Sequence, residues 1–384
     1  MNNKLFISVF FSFFLFSPVS ITQPQWYEQN SGVNRELTDV SFVDQNNGWV
    51  SGWTGTMLHT TDGGNTWNPQ NILPNNAYFS VFFTDKLNGW ASGYAGKIVH
   101  TTDGGQTWTD QYAPISTDYY RIYFFNSEIG WIVGGDAGVF PSNIAHRVIL
   151  HTTNGGNSWS TQYNEAYESL LRSIIFVDQN NGYATGESGV IMKTTDGGSN
   201  WSLQIIPSFH FYDIFFIDNL TGWVTGKYLG LPHYTTIFKT TDGGNNWDET
   251  PFGTDENLSS IYFTDNMKGW AVGGNDVPEG IIYYTSDGGV NWVLQNIPSV
   301  NFLYRVFFFD QNFGWAPGHL GTIIITDYAN PVELSSFTAK VLQGGGVQLD
   351  WRTETEINNY GFDVERKLML KENRLPRIKL YGNR

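Results

Sequence analysis

Two tryptophan-bearing motifs recur along this chain, and no other feature restricts its fold so tightly. The first, G-[W/Y]-x-x-G, starts at Gly48, Gly89, Gly130, Gly182, Gly222, Gly269 and Gly314. The second, mostly W-x-x-Q, starts at Trp26, Trp67, Trp108, Trp159, Trp201 and Trp292, with Trp247 running "WDET" instead. Together they take 13 of the 15 tryptophans. A period of roughly 40–50 residues is the signature of propeller blades or a similar array, in which each unit buries its apolar face against the next.

One unit reads end to end. "VSFVDQNNGWVSGWTGTMLHTTDGGNTWNPQ" alternates apolar and polar residues and breaks at Asn/Gly clusters, which gives four strands: "DVSFV", "GWVSG", "TMLHT" and "TWNPQ". Four antiparallel strands make a blade. The first motif has seven members, whereas the Asp-Gly-Gly turn that follows the third strand has six, at Asp62, Asp103, Asn154, Asp196, Asp242 and Asp287. The seventh unit ends at "GTIIITDYANP" without a tryptophan strand, and "QWYEQ" (25–29) supplies the missing member from the other end of the chain. The expected fold is all-β: a seven-bladed β-propeller of four-stranded antiparallel blades, closed by the N-terminal strand, which hides the edges an open array would expose. It should span residues 23–330.

The repeated turn invites a chemical reading, because it presents a carboxylate at five of its six occurrences. Each of its parts nevertheless has a local task. The Asp accepts N–H bonds from its own turn, the glycines supply positive φ, and the Trp buries a large ring. Separate blades would also hold the turns far apart around a ring, which rules against paired acid/base work. The six positions are therefore read as structural.

These motifs carry a resemblance. "TTDGG[NQ]TW" resembles the Asp-box of bacterial neuraminidase repeats, and the longer pattern from "F-x-D-x-x-x-G-W" to "D-G-G-x-x-W" resembles the propeller of photosystem II stability/assembly factors, over residues 25–328. The resemblance implies a propeller and a non-enzymatic role in assembling a membrane protein. It does not name a ligand, since repeats of this kind serve many unrelated proteins.

Composition narrows the function classes. Net charge is −15, and residues 366–384 hold seven Lys/Arg against one Asp/Glu, so the rest carries −21. An acidic body repels phosphate backbones, and no nucleic-acid partner is expected. The chain has no cysteine and thus no disulfide or thiolate site. Residues 1–22 read as a signal peptide: Lys4 precedes the run Leu5 to Phe16, which is too short to span a bilayer. The expected product is exported, with no transmembrane segment in the mature chain. It would be monomeric and extracellular, outer-surface or periplasmic, with a protein or glycan partner at the cell envelope.

Catalytic signatures are missing: there is no Walker loop, dinucleotide fingerprint or HExxH. Sialidases share the Asp-box but need an arginine triad, and the repeat region offers five arginines in all, Arg35, Arg121, Arg147, Arg172 and Arg305. No motif nominates the close carboxylate pair that a retaining glycosidase uses. The reading is non-catalytic, without cofactor or metal, the alternative being a sialidase-like or other carbohydrate-active glycoside hydrolase. His59, His100 and His151 repeat at one blade position and read as packing residues.

Function on a repeat scaffold should lie where repeats diverge. The loops between second and third strands swell to "GDAGVFPSNIAHR" in the third unit, "KYLGLPHY" in the fifth and "GNDVPE" in the sixth. At the start of the first strands, one column holds Phe79, Tyr120, Tyr212 and Tyr304, and the next holds Asp39, Ser80, Arg121, Ser173, Asp213, Ser260 and Arg305. Tyr120, Arg121, Tyr212, Asp213, Tyr304 and Arg305 are accordingly the candidate ligand-binding residues, at the mouth of the central channel. The competing reading is that these charges pair with one another and the rings seal the blade tops. Beyond Pro331 the pattern changes: "LSSFTAKV", "GVQLDWRT" and "GFDVERK" read as strands of a truncated β-sandwich-like segment, 331–384. That segment resembles the fibronectin-III-like portion of bacterial type IX secretion cargo, ending in a basic tail that departs from it.

Overall fold

The computed structural model describes residues 25–327 apart from 73–74, 137–145, 167–168, 253–254 and 276–278, together with the backbone of four strands further on. The seven blades are all present, each a four-stranded antiparallel sheet. In blade 1 the strands are Leu37–Phe42, Gly48–Gly52, Thr56–Thr60 and Asn68–Pro69. In blade 7, Phe307–Phe308, Phe313–Pro317 and Thr322–Asp327 are completed by Trp26–Asn30. That closing strand pairs from Trp26 opposite Thr326 to Asn30 opposite Thr322. The ring therefore closes as the missing tryptophan strand requires. The expected signal peptide and the enlarged loop of blade 3 lie outside the described residues. Beyond the ring, Leu334–Val341 pairs with Val347–Thr353, and Phe362–Val364 with Ile378–Leu380.

What joins blade to blade is an aromatic sandwich in which a third column takes part. The first strands carry Phe42, Phe83, Phe124, Phe176, Phe216, Phe263 and Phe308, all buried. Each ring stacks on the Trp or Tyr of the preceding blade's G-[W/Y]-x-x-G motif, with centroids 3.5–3.8 Å apart. Each also meets the second-motif tryptophan of its own blade edge-on, at 5.8–6.0 Å and 82–90°. Both are favoured aromatic geometries and add to the burial of apolar area. The same contact explains the first glycine of the motif. A Cβ at Gly48, Gly89 or Gly182 would lie 2.3–2.4 Å from the Phe ring packed over it.

The Asp-Gly-Gly turn fastens in two directions. Within its own blade, Asp62 Oδ1 accepts from the Thr60 hydroxyl (2.8 Å) and the Thr66 N–H (2.9 Å), and the Thr60 Oγ1 accepts from the Gly64 N–H (2.8 Å). Asn154 makes the same bonds through its amide oxygen. Across the seam, the first glycine of the turn receives the preceding blade's indole: Trp49 Nε1 donates to Gly104 O at 3.0 Å and Trp90 Nε1 to Gly155 O at 2.9 Å. At the closing seam Trp315 does the same to Gly63 (3.1 Å). The Gln of W-x-x-Q reaches over too, Gln29 to Gly63 at 3.2 Å and Gln111 to Gly155 at 3.0 Å. Here a second glycine is obligatory, because Gly156 holds φ +83 and a Cβ on it would sit 2.1 Å from Gln111 Oε1. The repeated histidines lie flat on the same indoles, His59 on Trp49 at 4.5 Å and His100 on Trp90 at 4.6 Å. Burial lowers their pKa, which keeps them neutral packing residues at neutral pH.

A chain that starts at residue 31 loses Trp26, buried against Phe308, and opens blade 7. Relative to a chain starting at residue 23, its stability should fall by at least about 3–5 kcal/mol, the scale of deleting one core tryptophan. Urea denaturation followed by circular dichroism checks this, and coincident curves would contradict closure. A second expectation concerns acid. Hydrogen bonds from Asn246 and Thr240 hold the Asp242 carboxyl down to about 2. A carboxylate with a depressed folded-state pKa stabilises the fold above its unfolded value, near 4, and that stabilisation fades as pH falls from about 4 towards 2. Asp242→Asn, the residue that position 154 already has, should show a smaller loss of Tm between pH 5 and pH 2 than the parent. An unchanged or larger loss would contradict the account.

Candidate functional site

In every blade the first strand is the inner edge of the sheet, so first strands surround the axis. An inner edge exposes N–H groups that no neighbouring strand pairs. Side chains of the adjacent blade supply the acceptors. Val81 N–H donates to Asp39 Oδ2 (3.0 Å), Ile261 N–H to Asp213 Oδ2 (3.0 Å), Ile122 N–H to Ser80 Oγ (3.2 Å) and Val306 N–H to Ser260 Oγ (3.2 Å). Around the ring this column runs Asp39, Ser80, Arg121, Ser173, Asp213, Ser260, Arg305, one residue per blade.

Two of these acceptors are buried carboxylates, 1% and 0% exposed at Asp39 and Asp213. Such charges are tolerable only when paired. Arg121 Nη1 lies 2.7 Å from Asp39 Oδ2, Arg305 Nη1 2.7 Å from Asp213 Oδ2, and Arg305 Nε 3.5 Å from Asp39 Oδ1. Ser80 donates to Asp39 (2.7 Å), while Ser173 and Ser260 donate to Asp213 (2.6 and 2.9 Å). Two cations and two anions from blades 1, 3, 5 and 7 thus form one neutral network across the axis. Burial alone would raise the Asp213 pKa, but Arg305 and Arg121 outweigh it and hold the carboxyl below the ordinary range. Burial disfavours the Arg305 cation as well, and Asp213 and Asp39 reverse that effect. Burial and the nearby Arg305 charge pull Arg121 down. Of the six candidate residues, Arg121, Asp213 and Arg305 are brought together: Arg305 binds Asp213, and Arg121 binds Asp39.

Above this network runs the neighbouring column. Phe79 stacks on Tyr120 at 5.3 Å and 10°, and the Arg172 guanidinium sits 4.7 Å from the Tyr120 ring centre. Arg172 is in turn held by Glu187 at 2.6 Å. At the other end Trp53, 47% exposed, meets Phe79 at 6.5 Å. The result is a ladder of rings along the rim, from blade 1 to blade 4. Tyr304 packs on Phe302 at 5.1 Å. Burial raises the hydroxyls of Tyr120 (to about 12), Tyr212 and Tyr304, so all three are neutral donors. Where the column is polar, Thr38 and Ser259 bond to the next blade's backbone at Tyr78 O (2.7 Å) and Leu303 O (2.6 Å). Sequence reasoning missed Trp53 and Arg172. Aligning the column through all seven repeats would have found Arg172, because "LLRSI" occupies the place of "DYYRI". Chemically the site offers stacking and hydrogen bonds beside two buried carboxylates that are each paired with an arginine.

Removing one member of the floor should be worse than removing a matched pair. Arg305→Met leaves Asp213 and Asp39 under-compensated and should cost about 3–5 kcal/mol. Adding Asp213→Asn to it should recover part of that loss. A double variant less stable than the sum of the two single variants, by urea denaturation, would contradict the network.

The description "Photosynthesis system II assembly factor YCF48" belongs to the family model that matches residues 19–110, 73–141, 114–206 and 161–252. No curated protein matches the sequence. Among solved structures, YCF48 bound to D1 peptide superposes with a TM-score of 0.63 at 20% identity, over 79% of this chain and 96% of that chain. YCF48 from Cyanidioschyzon merolae does so at 0.63 and 20%, over 80% and 99%. The GH74 xyloglucanase from Xanthomonas campestris is as similar in fold, 0.62 at 11% identity, over 86% of this chain and 59% of that enzyme. Structural likeness at such identities shows the propeller alone, whereas the repeated sequence match covers more than half of the chain. By that match, the chain belongs to the photosystem II assembly factor YCF48 family.

Proposed function

We propose that this protein is an exported, non-catalytic scaffold that holds a protein segment against the mouth of its ring. Family membership supports a binding or assembly role, and a structural relative was solved with a D1 peptide bound. The observation that carries the reading is the neutral floor: Arg121, Arg305, Asp39 and Asp213 are spent on one another. What remains for a partner is the rim of Trp53, Phe79, Tyr120, Tyr212 and Tyr304. Export rests on the apolar run Leu5 to Phe16 behind Lys4.

A glycoside hydrolase reading draws on the shared GH74 fold. It needs one carboxyl that can hold a proton near neutral pH and another free to attack or to activate water. Asp213 is held ionised by two arginines and is fully buried, which fits neither role. A glycan held without turnover is the milder form of that alternative.

A photo-crosslinking amino acid placed at position 304 tests the proposal against one placed at Leu220, an exposed site on the opposite face. In envelope extract the first should capture a discrete protein partner and the second should not. Tyr120→Ala should weaken that capture with the fold intact by circular dichroism. Equal capture from both positions, or xyloglucan or sialoside hydrolysis abolished by Asp213→Asn, would overturn the proposal.

A further inference from the structure

The charges around the mouth are unevenly matched. Among the described residues around it, the cations already have partners. Arg121 and Arg305 face Asp39 and Asp213, Arg172 faces Glu187, Lys227 faces Asp255 at 2.9 Å, and Arg35 donates to the Thr54 hydroxyl. An incoming carboxylate would have to compete with an internal one for all of them except Arg35, whose partner is a neutral hydroxyl. The surrounding field is also unfavourable to anions. Residues 25–327 contain eleven Lys/Arg and twenty-nine Asp/Glu, a net of −18. Such a body draws cationic segments towards it and slows the approach of anionic ones.

The ring ladder shows where a cation fits. At its blade 4 end it already accepts one, the Arg172 guanidinium over Tyr120. At its blade 1 end the described residues place no such cap, and Trp53 is 47% exposed. The backbone N–H of Trp53 donates to the backbone carbonyl of Glu36 at 3.0 Å, which brings an acidic residue to the same stretch of rim. The Glu36 carboxylate lies 3.4 Å from His319 Nδ1 on the facing loop of blade 7. An exposed indole and an acidic residue held to its backbone are the two elements that recognise a guanidinium or ammonium group, by cation–π attraction and a charged hydrogen bond.

Resting on the mouth as the partner site, we propose that the segment it accepts is basic, with an Arg or Lys side chain seated on Trp53 beside Glu36. Three fluorescein-labelled peptides of equal length and aromatic content, carrying Arg, Gln or Glu at the same positions, test this by fluorescence anisotropy with the full chain. The Arg peptide should bind roughly tenfold more tightly than the Gln peptide, the Glu peptide more weakly than either, and added salt should shrink the difference. Trp53→Ala and Glu36→Gln, both at the rim, should each cut the Arg-to-Gln ratio several-fold without moving the melting temperature. A Glu peptide that binds as well as the Arg peptide, an Arg peptide that does not bind, or a ratio untouched by Trp53→Ala would overturn the proposal. If the Gln and Glu peptides bind and Tyr304→Ala weakens them, the mouth stands as the site and only its charge preference falls. If the Arg peptide binds and neither Trp53→Ala nor Tyr304→Ala affects it, the mouth reading falls as well.

Discussion

Each blade is held to the next by one aromatic sandwich, and the rest of the molecule is arranged around keeping that contact. A Phe of the first strand lies flat on the Trp or Tyr of the preceding blade and edge-on to a Trp of its own. The flat contact leaves no room for a side chain beneath the Phe, hence the glycine before each Trp. It also points the indole N–H out of the core, where it must find an acceptor. The carbonyl of the Asp-Gly-Gly turn is that acceptor, and the Asp and Thr of the turn hold the carbonyl in position. Motifs that look independent along the chain are therefore parts of one joint. The joint that closes the ring, between blade 7 and blade 1, uses the same parts.

The site follows from a different constraint, the unpaired inner edge. A ring of first strands presents N–H groups to its axis, and this chain caps them with Asp and Ser. Buried Asp then demands a cation, and Arg from alternate blades supplies it. Charge at the mouth is in this sense a structural consequence, and the proposed partner site shifts outward to the rings above it. That division separates the residues that pair across the axis from those proposed to meet a partner.

Most of the architecture was legible because it repeats. Blade number, strand order and the closing role of "QWYEQ" follow from tryptophan spacing alone, since a fourth strand absent at one end appears at the other. The bonds that Asp62 accepts within its own turn were legible too, because each part of the turn has a local use. The Phe column was not singled out, although it is as regular as the tryptophans; a Phe in an apolar strand carries no signal that it stacks across a seam. The pairing of Arg121 with Asp39 and of Arg305 with Asp213 joins residues 82 and 92 positions apart. The column was visible in the sequence, but only the geometry of the ring shows which members reach one another. Trp53 escaped for the opposite reason: it belongs to neither tryptophan column, so repetition did not mark it.

The mouth neutralises its own charges in the free protein, and amide hydrogen exchange tests this most directly. The N–H groups of Val81, Ile122, Ile261 and Val306, on or beside the inner edges, each bond to a side chain of the neighbouring blade. With the network intact, their amides should exchange as slowly as those of Val50 and Val224, in the middle of their sheets. Exchange at these inner-edge positions as fast as in an open loop, with Val50 and Val224 still protected, would mean that the floor is open and its arginines are free for a ligand.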